Sequence, residues 1–432
     1  MMLFNDENEI IQEIEQKVIL VGIDLGKKDD IPIEESIEEL KELTRAAGAE
    51  VIDAVIQNKS KIDPAYFIGK GKAEEIKMMC VAFDANTVIF NDELSASQIR
   101  NLEEILEVTI IDRTALILDI FARRAKTREA KLQVEIAQLR YRLPRLVGLG
   151  KSLSRTGAGI GTRGPGEQKL ELDRRRILDR ISDIKKQISE VKRTREVQRS
   201  KRNKSKVPVV SLVGYTNAGK STLMNKLLDL SGNNSDDKKV YSEDLLFATL
   251  DTFHRRIVLQ DKKEFILTDT VGFVSKLPHH LVKAFKSTLE EVIEADTLIH
   301  VVDSSNKNYE MQIKVTNEVL RELGISNKPM IYAFNKFDKG IKDIIPKFKD
   351  VIFTSAITGY GIEKLIQSIQ NHIFKDMKKC KMLIPYEKGD IYSYLHEKTN
   401  IYNIKYQGDG TYLEAELNEA DFNRYKQYII ED

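Results

Sequence analysis

The chain has 432 residues, 41% hydrophobic and 31% charged, with 68 Lys+Arg against 67 Asp+Glu. At roughly 150 residues per domain that length implies about three domains, and the composition excludes a disordered or collagen-like chain. Cys80 and Cys380, about 300 positions apart, exclude a disulfide framework and a four-ligand zinc site.

No apolar run approaches the roughly 20 residues of a membrane span. The acidic start, MMLFNDENEI, lacks the basic-then-apolar order of a secretory signal. A soluble cytoplasmic protein, monomeric and without membrane insertion, is expected.

In residues 1–112 short apolar runs at 18–22, 51–56, 87–90 and 108–111 alternate with helical patterns at 36–47, 72–83 and 96–105. Strands alternating with helices of that length read as βαβ units on a small parallel sheet. From Arg113 the pattern changes. Residues 113–143 lack Gly and Pro and carry Leu132, Ile136, Leu139 and Leu143 at helical spacing. Seven of the chain's 23 glycines then fall between Gly148 and Gly166. A second Gly/Pro-free stretch, 168–203, places Ile177, Ile181, Ile184, Ile188 and Val191 on an a/d seam. Two long helices around a glycine-rich loop predict an antiparallel helical hairpin spanning 113–206.

That segment holds 27 Lys+Arg against 10 Asp+Glu, a charge of +17, and leaves the rest of the chain at −16. Such a block faces a polyanion or is a solvated helix surface. Its tip region carries Arg145, Lys151, Arg155 and Arg163 and no acid. A third, larger α/β unit is predicted over 207–375. Residues 380–432 contain eight of the 15 tyrosines. There the alternating runs 401–406 and 411–417 flank Gln407-Gly408-Asp409-Gly410 as a hairpin, and a helix over 419–430 closes a small α+β module.

The chemistry is concentrated in 207–375. A buried-strand pattern at 209–213 leads into Gly214-Tyr215-Thr216-Asn217-Ala218-Gly219-Lys220-Ser221 and then a helix. This is a phosphate loop in its strand–loop–helix setting. Converging backbone N–H groups and the positive helix end hold phosphates, Lys220 reaches the β- and γ-phosphates, and the Ser221 hydroxyl ligates Mg²⁺.

Asp269-Thr270-Val271-Gly272 follows a strand at 265–268, placing a carboxylate behind the magnesium and the Gly272 amide near the γ-phosphate. Asn335-Lys336-Phe337-Asp338 follows another strand at 330–334. The Asp338 carboxylate can accept from guanine N1–H and its exocyclic amine, and would be an unpaired charge against adenine. Ser355-Ala356, after a strand at 351–354, suits a backbone contact to guanine O6. Between loop and Asp269 lies Phe247-Ala248-Thr249-Leu250-Asp251, where the first switch belongs. Thr249 is the expected second magnesium hydroxyl, with Thr252 as the competitor. Order and spacing match a small GTPase, with GTP as substrate.

Phe273 stands where many GTPases carry a water-orienting glutamine, so slow intrinsic hydrolysis in need of outside help is expected. Asn217 either helps hold a potassium ion near the phosphates or stabilises the loop's turn.

These motifs, together with YFIGKGK (66–72), the basic helix ARRAKTREAKLQVEIAQLRYRLPRL (122–146) and the GxGxxGTRGPGE loop (157–167), resemble the HflX family of ribosome-associated GTPases. The resemblance implies an α/β chain with a P-loop GTPase domain, an N-terminal parallel α/β domain, a helical-hairpin arm and, in some members, a small C-terminal domain. It further implies binding to ribosomal RNA of the large ribosomal subunit, GTP-dependent splitting of stalled or idle ribosomes under stress, and hydrolysis accelerated by the ribosome. The family more often has a proline after the Asp of the first switch, where this chain has Thr252-Phe253.

The basic, glycine-rich tip suits RNA phosphates. Residues 69–72, GKGK, read either as a strand–helix turn or as a second phosphate site serving an ATP-driven RNA-remodelling activity. The C-terminal tyrosines read as core or as a base-stacking platform. A regulatory switch acting on a protein or membrane partner is the competing function.

Overall fold

The computed structural model describes residues 16–26, 31–153, 165–204, 207–230, 246–247, 253–278, 281–282, 289–325, 327–340, 346 and 348–431. The chain divides into two compact units. The first runs to Glu190 and includes Leu245–Phe247 and Lys276–Ala284; the second takes Val191–Asp244, Ala248–Ser275 and Phe285–Asp432.

The first unit opens with β1 (Lys17–Asp24), α1 (Ile33–Ala46), β2 (Glu50–Asn58), α2 (Lys70–Phe83), β3 (Thr87–Phe90), α3 (Ala96–Leu106) and β4 (Thr109–Asp112). All four strands are parallel, in the order β2-β1-β3-β4. Each crossover is a helix whose apolar stripe covers the sheet. Ile19, Val21, Val88 and Phe90 meet Ile76, Cys80, Leu102 and Leu106 in one core. Within this core, α3 begins on a capping box in which Ser95 accepts from Gln98 N and Gln98 returns a bond to Ser95 N.

The stretch expected to be one helix after residue 113 is two, α4 (Arg113–Arg124) and α5 (Arg128–Leu153). Ala125 is extended, and the Thr127 hydroxyl accepts from Ala130 N to start the second helix. The helix α5 continues through Pro144, beyond the predicted stop. Opposite it lies α6 (Pro165–Lys204). Leu132 and Ile136 pack on Ile181 and Ile184, with Leu139, Ile177 and Ile188 at the margins. Arg128 reaches Gln187 and Arg180 grips Glu135, so the two helices run antiparallel, as the seam predicted.

In the second unit a six-stranded sheet has the order β10-β9-β8-β5-β7-β6. Its strands are β5 (Val209–Gly214), β6 (Phe253–Val258), β7 (Glu264–Asp269), β8 (Thr297–Asp303), β9 (Met330–Asn335) and β10 (Val351–Phe353). Only β6 is antiparallel, hairpinned to β7. The helices at Lys220–Leu230 and Ile362–Ile373 bury Leu223, Leu227, Leu365 and Ile369 against Val210, Leu212, Ile299 and Val301.

A four-stranded antiparallel sheet follows, ordered β12-β13-β11-β14, from β11 (Lys378–Ile384), β12 (Asn400–Gln407), β13 (Gly410–Leu417) and β14 (Ile429–Glu431). The predicted hairpin is present. The helix expected over 419–430 stops at Arg424; a single 3-10 turn at Lys426–Tyr428 leads into β14. Phe422 and Tyr425 already reach the core, and Ile429 gains a partner by pairing with Met382, so tertiary pairing overrides the helical pattern.

Among the described residues no helix is long and apolar enough to cross a membrane, and no cluster of three or more His, Cys, Asp or Glu is placed to hold a metal. Cys80 and Cys380 are buried and not joined in a disulfide.

Candidate functional site

The carboxyl ends of β5, β7, β8 and β9 converge, and the sequence motifs sit there because each follows its strand directly. The loop after β5 is a tight cradle. Asn217 has φ +58° and Gly219 has φ +90°, conformations that Asn tolerates and Gly adopts freely. A Cβ at Gly219 would come within 2.3 Å of Asn335 Nδ2. The far rim is stitched to the next loop by Thr216 N donating to Phe273 O at 2.8 Å and Phe273 N to Gly214 O at 3.2 Å. Tyr215 adds its hydroxyl as acceptor for Ser275 N at 2.7 Å.

Lys220 is buried, its ammonium donating to Gly214 O at 3.1 Å and Tyr215 O at 2.8 Å. Burial pulls its pKa down to about 8, while the Asp269 carboxylate pulls the other way. Ser221 Oγ donates to Asp269 Oδ2 at 2.6 Å. Asp269 is fully buried, and its neighbour Thr270 is fixed by a bond from Oγ1 to Leu212 O at 2.7 Å. A Cβ on Gly272 would lie 2.7 Å from Thr216 Cα and 2.9 Å from Lys220 Nζ, so only glycine leaves this corner open. The Phe273 side chain is buried and offers nothing to orient water, as its chemistry predicted.

The third motif is tied to the first. Asn335 Nδ2 donates to Ala218 O at 3.0 Å, and its Oδ1 accepts from Ala356 N at 3.0 Å. One amide thus spans the phosphate loop and the Ser355-Ala356 segment. Ser355 Oγ donates to Asp338 Oδ1 at 2.6 Å, which orients the carboxylate. Lys336, at φ +58°, pairs with Asp303 at 3.0 Å and approaches Asn217 Oδ1 at 3.4 Å. Phe337 stacks on Tyr360, their ring centroids 5.4 Å apart.

Three supporting residues carry no motif and were missed in the sequence. Asp303, at the end of β8, holds Lys336. Ser304 Oγ donates to Asn335 O at 2.7 Å. His300, buried in the same strand beside Tyr332, is kept neutral because burial, then the charge of Lys220, hold its pKa down to about 3. The one available signal was a polar residue inside or just after an apolar strand.

Phe247 lies in the first unit, its ring 4.6 Å from Phe121. Ala248, Thr249, Leu250, Asp251 and Thr252 lie outside the described residues, as do Arg155 and Arg163, and the side chain of Lys151.

Arg145 corrects an expectation. It is folded inward, its guanidinium 3.4 Å from the Tyr141 ring centroid, 3.0 Å from buried Asp112 and 2.8 Å from Leu94 O. A desolvated carboxylate such as Asp112 needs that partner, so this arginine is committed within its own unit. Residues 69–72 are the N-cap and first turn of α2 and not a tight strand–helix turn: Gly69 N donates to Gln57 Oε1 at 2.9 Å, and Lys72 pairs with Glu75. Of the C-terminal tyrosines, Tyr425, Tyr392, Tyr394 and Tyr428 join the core while Tyr386, Tyr402 and Tyr406 are exposed.

A buried lysine under a glycine cradle, a hydroxyl–carboxylate pair beside it and an Asn-Lys-x-Asp strand end tied to both define a phosphate-loop GTPase. Four family models match in chain order: GTP-binding GTPase N-terminal over residues 34–122, GTP-binding GTPase Middle Region over 124–202, 50S ribosome-binding GTPase over 209–336 and HflX C-terminal domain over 341–427. The chain is 48% identical to the GTPase HflX of Caldanaerobacter subterraneus subsp. tengcongensis, covering 96% of this chain and 94% of that one. It is 47% identical to the GTPase HflX of Lacrimispora saccharolytica, covering 94% of each. Among solved structures it is similar to the SsGBP and GDP complex, with 25% identity and a TM-score of 0.47, over 83% of this chain and 99% of that one. The chain belongs to the HflX family of GTPases, on the strength of the sequence relatives.

Proposed function

We propose that this GTPase binds the large ribosomal subunit through its basic arm, splits stalled or idle ribosomes in a GTP-dependent way under stress, and hydrolyses GTP faster when bound there. The observation that carries this reading is the polarity of α6. One side buries Ile181 and Ile184, while Arg174, Arg175, Arg176, Lys185, Lys186, Lys192 and Arg193 are exposed. A helix whose exposed face is rich in cations, of which Arg176, Lys186 and Lys192 also meet an acid of the chain, suits an RNA backbone, whose phosphates supply salt-dependent affinity. The 50S ribosome-binding description of the matched GTPase model supports the same partner.

Within the nucleotide site, residues 214–221 and Gly272 would hold the phosphates, with Asp338, Ser355 and Ala356 on guanine. The hard oxygens of Ser221 and Asp269 fit a magnesium ion, directly through Ser221 and from behind through Asp269, with Thr249 as the proposed second hydroxyl. Bound there, the ion would neutralise phosphate charge. Lys220 holds the phosphates by charge, and buried Phe273 leaves the attacking water without a side-chain partner. Lys151, Arg155 and Arg163 remain proposed RNA contacts of the arm's tip; Arg145 is not among them.

The test is GTP turnover with and without purified large subunits, for the intact chain and one lacking residues 148–166. Strong stimulation that the deletion abolishes supports the reading. Turnover indifferent to subunits would leave a GTPase that is a switch for a protein or membrane partner.

A further inference from the structure

The hairpin of β6 and β7 ends at Asp269 of the nucleotide site. Its register pairs Phe253 with Asp269 at the nucleotide end and Val258 with Glu264 near the turn. The strand β7 is pinned along β5, with Leu212 opposite Asp269, while among the described residues β6 is the edge strand of the sheet. Besides its ladder to β7 and the burial of Ile257 in the domain core, β6 is held at the turn, residues 259–263.

That turn is anchored by the C-terminal module. Lys263 Nζ meets Glu416 of β13 at 2.8 Å, both side chains largely buried, and also reaches Asp261 at 3.6 Å. Tyr402 Oη donates to the same Glu416 carboxylate at 2.9 Å. Lys262 donates to His396 O, and Gln370 Nε2 donates to Asp261 Oδ2 at 2.9 Å. The Phe374 ring lies 5.5 Å under the Lys263 ammonium. Burial alone would raise the Glu416 pKa, yet its bonds to Lys263 and Tyr402 outweigh this and hold it below the usual carboxylate range. Glu416 and the His396 carbonyl from the C-terminal module, with Gln370 and Phe374 from the end of the preceding helix, give a five-residue turn more contacts than it needs to close. Tight two-residue and short hairpins close by backbone geometry alone.

We propose that Lys263 and Glu416 are positioning residues of the GTPase cycle: through them the C-terminal module holds β6 in register and so sets how firmly the Ser221–Asp269 corner retains nucleotide. The inference goes beyond the ribosome reading and does not depend on it. A ladder of six residues spans about 17 Å at roughly 3.4 Å per residue. Slippage of the freed edge strand at the turn is carried along it to Phe253, directly opposite Asp269. Whatever docks on the C-terminal module thereby acts on nucleotide retention without touching the site.

The experiment is release of a fluorescent GDP analogue from the full chain, by stopped flow, for Lys263→Met, Glu416→Gln, the double variant and Lys263→Arg. Each single neutralisation is expected to speed release at least about fivefold, the lower end of ordinary coupling between sites. The double variant should be no faster than either single, because both remove one link, and Lys263→Arg should stay within about twofold of the parent. A purely adhesive pair would lower thermal stability and leave release unchanged. Release within twofold of the parent in both singles, or multiplicative effects in the double, overturns the proposal. Should a single variant fail to fold, Tyr402→Phe decides, since it takes one hydroxyl from Glu416 on a half-exposed ring: release at least about twofold faster supports the link, and parent-like release overturns it.

Discussion

Asn335→Ala removes one side chain and strands two buried backbone groups at once. Ala218 O loses its donor and Ala356 N its acceptor, and both residues are buried. Each orphaned group costs about 1–3 kcal/mol, so the pair amounts to about 2–6 kcal/mol. Water entering the vacated space recovers part of this, which leaves about 3 kcal/mol, or roughly a hundredfold in Kd at 1.4 kcal/mol per tenfold. Asn335→Asp keeps an acceptor for Ala356 N but sets a buried carboxylate oxygen against Ala218 O, 3.0 Å from the replaced nitrogen's position, so it should lose at least as much. The assay is equilibrium titration with a fluorescent GTP analogue, alongside thermal melting of the nucleotide-free chain. If Asn335→Ala binds within threefold of the parent and melts unchanged, the amide is not what joins the phosphate loop to the Ser355-Ala356 segment.

Three further outcomes are expected. Gly272→Ala puts a methyl 2.7 Å from Thr216 Cα and 2.9 Å from Lys220 Nζ, and should depress GTP turnover at least about tenfold; GDP affinity should fall less, and equal losses in both would count against a γ-phosphate role. The pKa of Lys220, pulled down to about 8 in the free site, must rise when phosphate arrives. Below pH 8 the charge is already present and affinity is flat; above it binding must take up a proton, so Kd rises towards tenfold per pH unit, which titrations from pH 6.5 to 9.5 would show or refute. Replacing Arg174, Arg175 and Arg176 with Ala should flatten the salt dependence of large-subunit binding by about 2–3 in log–log slope, at roughly 0.7–0.9 per phosphate contact; an unchanged slope places the RNA contact elsewhere.

The local pattern of this chain determined its strands, its crossover helices and the order in which glycine loop, Asp-x-x-Gly and Asn-Lys-x-Asp appear. Periodicity and turn chemistry act over a few residues, so they are readable without the fold. The a/d seam of residues 177–188 even specified its antiparallel partner, because an apolar stripe must be covered. What only the tertiary structure decided are the partners of polar groups far apart in the chain. Arg145 reads as part of a basic tip, yet buried Asp112 draws it inward. Residues 426–430 read as the end of a helix, yet β11 offers an open edge that Ile429 fills. Asp303 and Ser304 carry no signature beyond a polar residue at the end of an apolar strand, and the Lys263–Glu416 pair carries none. A buried charge or amide is satisfied by whichever group the topology brings within about 3 Å, and topology is set by the whole core, not by the residues on either side.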